Sequence, residues 1–552
     1  MDKFDVSGFN VAGKGERYAV ADVKRFIDDG VCREGKIFVL HGLRRTGKTV
    51  MMEQVLSSYR DKVGCSYYMA RNCDKMRDVE RILGEEWKKG TKIVCIDEIT
   101  RIEDFITNSA SLPDIYAKAG MSIIVTGTDS LSLSLAHDRE LFGRINKKST
   151  THIPFAEHCN VLGTKSMDDY LKFGGLMCPG KDPNNGIYDL ESAQKYLDSS
   201  VSMNISSSIA NSYKNTSLEA VSYFDLCRMT NKMVEKYSGD FSVRDLQDEL
   251  KSVIVTKPLH DLPEGIDFAS VIKVNEYKQD IASDFSDIIN LDKINSAIIT
   301  VPMVERYEKY LRDMGVMSTV NHFSFDNSGG TWYRNPDEKL VHIVQPAIRY
   351  YHLLEASKYI KDSKYFSHMK IGETNSLRER LNNMVLGEMT EQAILFDTSS
   401  YFPSDRFSVA KVSFSVENND SGEYDMLLHD KERNAYWAFE IKHRSIPCLA
   451  QEDHLVNPEF RAVSDGEFGK CEGVAVLYNG TSCIGYTDVP HLNIADFMVA
   501  LDKYRDMGKT MDAMTNGLPF YELTRDSGMP VEVDLSDLFN KNRNFTRGDR
   551  ND

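Results

Sequence analysis

The chain has 552 residues, of which 41% are hydrophobic, 27% are charged and 10% are aromatic. This composition is that of a folded globular protein with about three or four domains, and it excludes a mainly disordered, collagen-like or low-complexity chain. The net charge of −16 excludes a surface that is basic throughout, so any contact with DNA or RNA requires a local basic patch.

The first part of the chain alternates apolar strands with helices. An amphipathic helix is predicted over residues 20–34, and the predicted strands after it are Lys36–His41, Ser66–Arg71, Lys92–Glu98 and Ser122–Thr128. Continuous apolar strands that alternate with helices are typical of a parallel sheet covered by helices on both faces. We therefore predict an α/β domain over residues 1–160.

The pattern changes after this domain. A helix that ends at Gly315 precedes a hairpin-like stretch at 322–335, which is typical of a winged helix. Further on, a helix and three strands predict a second α/β domain. The predicted segments are a helical region over 161–300, a winged-helix-like region over 301–370, an α/β domain over 371–500 and a C-terminal extension with a flexible end over 501–552.

The location of the protein is predicted from what the sequence lacks. The ten cysteines are scattered without CxxC spacing, which indicates reduced thiols. The N-terminus has no apolar stretch typical of a signal peptide, and no apolar run approaches the roughly 20 residues of a spanning helix. We expect a cytoplasmic protein with no membrane partner.

A phosphate-binding motif follows the first buried strand. Residues 42–49 read GLRRTGKT and fit the pattern G-x-x-x-x-G-K-[ST] between a strand and a helix. In this pattern the glycines let backbone amides face phosphate, Lys48 reaches the β- and γ-phosphates, and the Thr49 hydroxyl binds Mg²⁺. The predicted nucleotide-binding residues are Gly42, Leu43, Arg44, Arg45, Thr46, Gly47, Lys48, Thr49 and Val50.

Acidic and polar residues at the ends of two later strands complete this predicted site. Asp97 ends a buried strand and is predicted to hold Mg²⁺, while Glu98 is predicted to polarise the attacking water as general base. Thr128 ends the next strand and can sense the γ-phosphate. Arg144 is a predicted arginine finger, acting in its own chain or in a neighbouring subunit. The alternatives are strands that simply end in polar residues and a surface salt bridge at Arg144.

The blocks GLRRTGKT, CIDEITRIEDF, VTGTDSLSLSL, ELFGRI, HIPFAEH and DYLKFGG follow one another over roughly residues 36–175. In order and spacing this part of the chain resembles the archaeal-type AAA ATPases of bacteria and archaea. Leu43 stands where that family usually has proline, and Thr128 where many AAA proteins have asparagine. The resemblance implies ATP and Mg²⁺, with Arg144 as the finger. No N-K-x-D motif for guanine is present.

A second group of charged residues lies in the C-terminal half. Asp425 is on one predicted strand, and Glu440 and Lys442 share one face of the next strand because side chains alternate. Asp425 and Glu440 can chelate Mg²⁺, Lys442 can orient water or stabilise negative charge, and Glu391 on the preceding helix can complete the acidic group. The alternative is a structural Glu–Lys pair at the end of a strand.

Residues 300–500 resemble the PD-(D/E)xK nuclease-like domain that follows the ATPase and winged helix in one branch of the same family. The resemblance is carried by YEKYLRDMGVM, LGEMTE, EYDMLL, AFEIKHR and VLYNG, together with the earlier Gly174-Gly175. Glu391, Asp425, Glu440 and Lys442 all match the nuclease pattern. Because such domains often only bind, the resemblance does not by itself imply cleavage.

Three functions are compatible with these motifs. The favoured one is an ATP-hydrolysing AAA-type switch or motor coupled to a nuclease-like C-terminal domain. The alternatives are a nucleotide-regulated, Mg²⁺-dependent DNA or RNA nuclease and a non-catalytic DNA-binding regulator. The expected partners are ATP, DNA or RNA, and further copies of the chain if Arg144 acts on a neighbouring subunit.

Overall fold

The computed structural model describes residues 1–11, 13–102, 104–128, 133, 136, 140–177, 186–212, 221–239, 301–362, 371–402, 404–416, 421–507, 519–523 and 530–534. The predicted flexible end and residues 240–300 of the predicted helical region lie outside this set. Within it, no helix combines the length and the apolar character that crossing a bilayer requires.

The N-terminal part contains a six-stranded sheet. Its strands are β1 (Asp2–Phe4), β2 (Ile37–His41), β3 (Cys65–Met69), β4 (Ile93–Asp97), β5 (Ser122–Gly127) and β6 (Ile145–Ser149), and their order is β1-β3-β4-β5-β2-β6. β1 pairs antiparallel with β3, whereas all other pairs are parallel. Every residue of β2, β4 and β5 is buried, as expected for strands covered on both faces. The predicted parallel α/β architecture is confirmed.

The α-helices of this part are α1 (Tyr18–Asp28), α2 (Lys48–Tyr59), α3 (Met76–Lys88) and α4 (Phe105–Asn108). The predicted helix over 20–34 is wrong at its end, because Gly30 adopts a left-handed conformation (φ 64°) and a 3₁₀ turn at Val31–Glu34 follows. The apolar faces of α1 and α2 pack on the sheet in one core with the central strands.

Among the described residues, the next part contains the helices α5 (Phe155–Leu162), α6 (Met167–Phe173), α7 (Leu190–Leu197), α8 (Met203–Ser212), α9 (Tyr223–Gly239), α10 (Val301–Asp313) and α11 (Pro346–Asp362). Leu43 of the phosphate motif is fully buried in a core formed mainly by these helices. The phosphate loop is therefore packed between the first sheet and the helical part.

A second, nine-stranded sheet follows. It comprises β7 (Met317–Ser328), β8 (Thr331–Arg334), β9 (Glu338–Ile343), β10 (Phe407–Val416), β11 (Gly422–Asp430), β12 (Ala435–Lys442), β13 (Lys470–Tyr478), β14 (Cys483–Ile484) and β15 (Pro490–Asn493). The remaining α-helices and strands of the described residues are α12 (Ile371–Tyr401), α13 (Asp453–Val456), α14 (Pro458–Phe468), α15 (Ile494–Met507) and the antiparallel pair β16 (Pro519–Leu523) and β17 (Pro530–Asp534).

The predicted hairpin is present, but it is part of this large sheet. β7 pairs antiparallel with β8 and β9 and also runs parallel to β10, from Ala410 opposite Asn321 to Val416 opposite Asn327. The twelve residues of β7 are long enough to bind partners along both edges. The strands of the winged-helix-like region and those of the second α/β region thus share one sheet, and the winged-helix assignment stays a prediction.

Candidate nucleotide site and carboxylate–lysine cluster

The phosphate loop joins the carboxyl end of β2 to the first residue of α2. Its backbone needs glycine at two positions: Gly42 has φ 149° and Gly47 has φ 88°. A Cβ atom at Gly42 would lie 2.5 Å from the hydroxyl oxygen of Thr150. Arg45 also has a positive φ of 63°. These conformations turn the backbone tightly between β2 and α2, as the loop of a phosphate site requires.

Lys48 is buried at the start of α2. Its ammonium group donates hydrogen bonds to the carbonyl oxygens of Gly42 (2.9 Å) and Leu43 (2.8 Å). Burial lowers the pKa of Lys48 to about 8, although the nearby carboxylates of Glu98 and Asp97 act in the opposite direction. The charge is therefore enclosed by the loop, within reach of any anion that the loop holds.

Asp97, the last residue of β4, is the centre of a hydrogen-bond network. Its carboxylate accepts hydrogen bonds from the hydroxyls of Thr49 (2.7 Å), Tyr67 (2.6 Å) and Thr126. The sequence analysis identified Thr49 and Asp97, did not identify Tyr67, and named Thr128 as the polar residue at the end of the next strand. Alternation of side chains places Thr126 and Thr128 on one face of the predicted strand Ser122–Thr128, whereas the observed β5 ends at Gly127.

Glu98 directly follows this strand and has a left-handed backbone with φ 56°. Its N–H donates to Asp97 Oδ1 and Thr126 Oγ1, and its carboxylate accepts a hydrogen bond of 3.1 Å from the Thr128 hydroxyl. Backbone strain of this kind often occurs at functional sites. Thr128 therefore orients Glu98, the residue predicted to act as base.

Arg144 lies at the opposite edge of the sheet. Its carbonyl oxygen accepts a hydrogen bond from the N–H of Ile37 at the start of β2, and its guanidinium group pairs with Asp114 (2.9 Å). The phosphate loop follows the other end of β2, roughly 15 Å away for a five-residue strand. Arg144 is thus too far away to contact the phosphate loop of its own chain.

A buried arginine that sequence reasoning missed supports the phosphate loop. Arg17 is 5% exposed and forms an ion pair with Glu157, to which it donates two hydrogen bonds (3.0 and 2.9 Å). It also donates to the carbonyl oxygens of Thr46 (2.6 Å), Thr150 (2.9 Å) and His152 (3.0 Å). Its partners are up to 140 residues away, so no local pattern indicates this role.

The helical part contacts the loop from another side. The Tyr196 hydroxyl donates a hydrogen bond to the carbonyl oxygen of Arg44 (2.9 Å), and the N–H of Met177 donates one to the carbonyl oxygen of Arg45 (2.8 Å). The Asn204 amide donates to the carbonyl oxygen of Thr128 (3.0 Å). The side chains of Arg44, Arg45 and Thr49 are exposed, that of Val50 is half-buried, and those of Leu43 and Thr46 are buried.

The second predicted group forms a carboxylate–lysine cluster on β10, β11, β12 and α12. Its members are Glu391, Lys411, Glu423, Asp425, Glu440 and Lys442. Oxygen atoms of Glu391, Glu423 and Asp425 lie within 4.8 Å of one another and are suitable ligands for a metal ion. Sequence reasoning brought together four of the six, but it missed Glu423, two residues before Asp425 on the same strand face, and Lys411.

Each of the two lysines of this cluster forms ion pairs with two of its carboxyl groups. Lys411 pairs with Glu391 (2.8 Å) and Glu423 (3.0 Å), and Lys442 pairs with Glu440 (2.6 Å) and Asp425 (3.2 Å). Lys442 thus links Glu440 to Asp425, although Glu440 is not one of the three grouped carboxylates.

Burial and like charge shift the titration of these carboxyl groups. Burial raises the pKa of Glu391 to about 8 and also raises the pKa values of Asp425 and Glu440. One oxygen each of Asp425 and Glu440 is buried without a hydrogen-bond partner. The cluster thus has unsatisfied acceptors, and its four carboxyl groups outnumber its two lysines, so a divalent cation can compensate the charge that these groups gain when they ionise.

Comparison with known proteins identifies the domain in which the phosphate loop lies. Residues 34–159 match the family model described as AAA domain, so this part of the chain is an AAA-family domain. No curated protein matches the chain. A solved structure described as "Structural Basis for Katanin Self-Assembly" has 14% sequence identity over 56% of this chain and 99% of its own, with a TM-score of 0.19, which is too low to show a common fold.

Proposed function

We propose that the chain binds ATP with Mg²⁺ at the loop of residues 42–49 and hydrolyses it to ADP and phosphate. The AAA-family domain at 34–159 supports an ATPase-type function. The observation that carries the proposal is the convergence of Lys48, Thr49, Asp97 and Glu98 at the carboxyl edge of one parallel sheet. Ligands bind at this edge in sheets of this type.

The residues present suit a magnesium ion. The Thr49 hydroxyl and the Asp97 carboxylate have oxygen atoms 2.7 Å apart, close to the roughly 3 Å between neighbouring ligands of an octahedral Mg²⁺. These two residues would hold the ion, which neutralises charge on the phosphates when bound. Tyr67 and Thr126 donate hydrogen bonds to Asp97 and hold its carboxylate in one orientation.

The chain's own residues supply the rest of the reaction. Lys48 exchanges the carbonyl oxygens of Gly42 and Leu43 for phosphate oxygens and stabilises their charge. Glu98, oriented by Thr128, accepts a proton from a water molecule while the oxygen of that water forms a bond to the γ-phosphorus. The bond between the γ-phosphorus and the bridging oxygen breaks, and ADP leaves.

An ATPase assay with matched variants tests this function. Lys48→Ala should abolish hydrolysis and weaken nucleotide binding, whereas Glu98→Gln should lower turnover by about 10²–10⁴-fold and keep binding. The exposed Lys62→Ala and Glu85→Gln are the controls and should behave as wild type. Absence of hydrolysis in wild type, or normal turnover in both site variants, would refute the proposal. The assay is run with and without DNA or RNA, to detect stimulation by either.

We further propose that Arg144 acts on the nucleotide of a neighbouring copy, because it lies at the edge of the sheet opposite its own loop. Arg144→Ala should lower turnover at least about tenfold, whereas Arg81→Ala, at an exposed arginine, should not. Mixing Arg144→Ala with Glu98→Gln protein should restore activity, since each supplies what the other lacks. No recovery on mixing argues that Arg144 has no role in a neighbouring subunit.

A metal-dependent nuclease is the second candidate function. It is favoured by the three grouped carboxylates and the unpartnered buried oxygen of Asp425. Asp425→Asn and Lys442→Met should both abolish Mg²⁺-dependent cleavage of DNA or RNA, while the exposed control Asp453→Asn should not. If wild type cleaves neither polymer, or both variants stay active, this function is wrong and the cluster is structural or only binds.

A further inference from the structure

A buried segment lies between the phosphate loop and the long helix α12. It comprises residues 150–155, and we call it the connecting segment. Its first end is attached to the loop: the Thr151 hydroxyl accepts a hydrogen bond from the N–H of Leu43 (3.1 Å), and the Thr150 hydroxyl oxygen lies 2.8 Å from that of Thr46. Thr151 also donates to the carbonyl oxygen of Met314 (3.2 Å), which restricts its rotation.

The other end is attached to α12 through Asp397. One carboxylate oxygen of Asp397 accepts a hydrogen bond from the N–H of Phe155 (2.8 Å), and the other lies 3.0 Å from Nε2 of His152. Phe155 is the first residue of α5, so a negative charge at this point also stabilises the start of that helix. Asp397, Phe155 and Thr151 are all buried.

The same helix bears one residue of the carboxylate–lysine cluster. Glu391 precedes Asp397 by six residues, which is about 9 Å along a helix. Glu391 is one of the three grouped carboxylates and pairs with Lys411. A continuous path of direct contacts therefore runs from the loop amide of Leu43 through the connecting segment to the helix that positions Glu391.

We propose that the connecting segment transmits nucleotide occupancy of the phosphate loop to α12 and so regulates the position of Glu391 in the cluster. This rests on the proposed nucleotide binding. The loop moves when Lys48 leaves the carbonyl oxygens of Gly42 and Leu43 and binds phosphate. The N–H of Leu43 moves with it, because this N–H belongs to the same peptide group as the Gly42 carbonyl. A close-packed interior moves such contacts together because it has no space to absorb the shift. Asp397 is a positioning residue in this scheme.

Hydrogen–deuterium exchange of the full chain, with Mg²⁺ and either ADP or a non-hydrolysable ATP analogue, tests the coupling. In wild type, nucleotide should change amide exchange at residues 42–55 and also at 385–401, the latter by about fivefold or more. In Asp397→Asn, the change at 42–55 should persist and the change at 385–401 should disappear. The control Asp430→Asn, which loses another buried ion pair, with Arg406, should keep both changes.

The outcomes separate the coupling from the function beneath it. No change at 42–55 in wild type means that nucleotide does not bind and both proposals fall. A change at 42–55 alone overturns only the coupling, and so does an unaltered response of 385–401 in Asp397→Asn. Thermal melting checks that each variant folds. If Asp397→Asn does not fold, Thr151→Val should lose the distal response and Thr151→Ser should keep it, while equal responses refute the path.

Discussion

Replacing Arg17 with methionine tests how strongly the buried arginine stabilises the phosphate loop. Methionine keeps an apolar stem of similar length but removes five hydrogen bonds. Glu157 is 2% exposed and, among the described residues, would keep the hydrogen bond from the N–H of Tyr18. Breaking one side of a buried ion pair costs about 3–5 kcal/mol, and each carbonyl left without a donor costs about 1–3 kcal/mol.

These contributions are not additive, so we expect Arg17→Met to lower the free energy of unfolding of the AAA-family domain by roughly 5 kcal/mol. Native-state hydrogen exchange of the β2 and α2 amides measures this free energy locally in a chain of several domains. The double variant Arg17→Met with Glu157→Met should lose less than Arg17→Met alone, because it leaves no unpaired buried carboxylate. A loss below about 1 kcal/mol, or a double variant no better than the single one, would refute the reasoning.

Three further predictions follow from burial and backbone geometry. Because burial lowers the pKa of Lys48 to about 8 and phosphate binding favours its charged form, nucleotide affinity should fall up to about tenfold per pH unit above pH 8; calorimetry that gives constant affinity from about pH 7 to 9.5 contradicts this. Gly42→Ala should weaken nucleotide binding at least about tenfold, since its Cβ meets Thr150, whereas Gly84→Ala on α3 has space and should not. Burial lowers the pKa of His342 to about 3, so the unfolded chain binds the extra proton as pH falls below 6.5, and stability should fall by about 1.4 kcal/mol per pH unit for this group. The denaturant midpoint of wild type should therefore be lower at about pH 5 than at about pH 7, and His342→Gln should show a smaller difference. An equal difference in wild type and variant would show that His342 is not responsible.

Local patterns in the sequence were enough for the first sheet and its loop. The apolar runs of β2, β4 and β5 predict buried parallel strands, because a strand covered on both faces has no polar side. Residues 42–50 are contiguous, so the motif and its glycines could be identified without knowledge of distant parts of the chain. Asp97 and Glu98 followed from the rule that ligands lie at strand ends.

The contacts between residues far apart in the sequence depend on how the elements pack. Arg17 and Glu157 are separated by 140 residues, and Lys411 reaches Glu391 from another element. The parallel pairing of β7 with β10 likewise joins segments far apart in sequence. Such contacts leave no periodic signal, because they depend on how whole elements pack and not on the order of neighbouring residues.

The same distinction explains the position of Arg144. Its place after the core strands suggested a finger, but only the register of β6 beside β2 puts it at the edge away from the loop. Local sequence patterns were therefore enough to predict a phosphate loop, its acidic partners and an α/β sheet. The packing of the chain determined what supports the loop, which lysines balance the second cluster and how the two are connected, because buried charges acquire their partners only when distant segments are brought together.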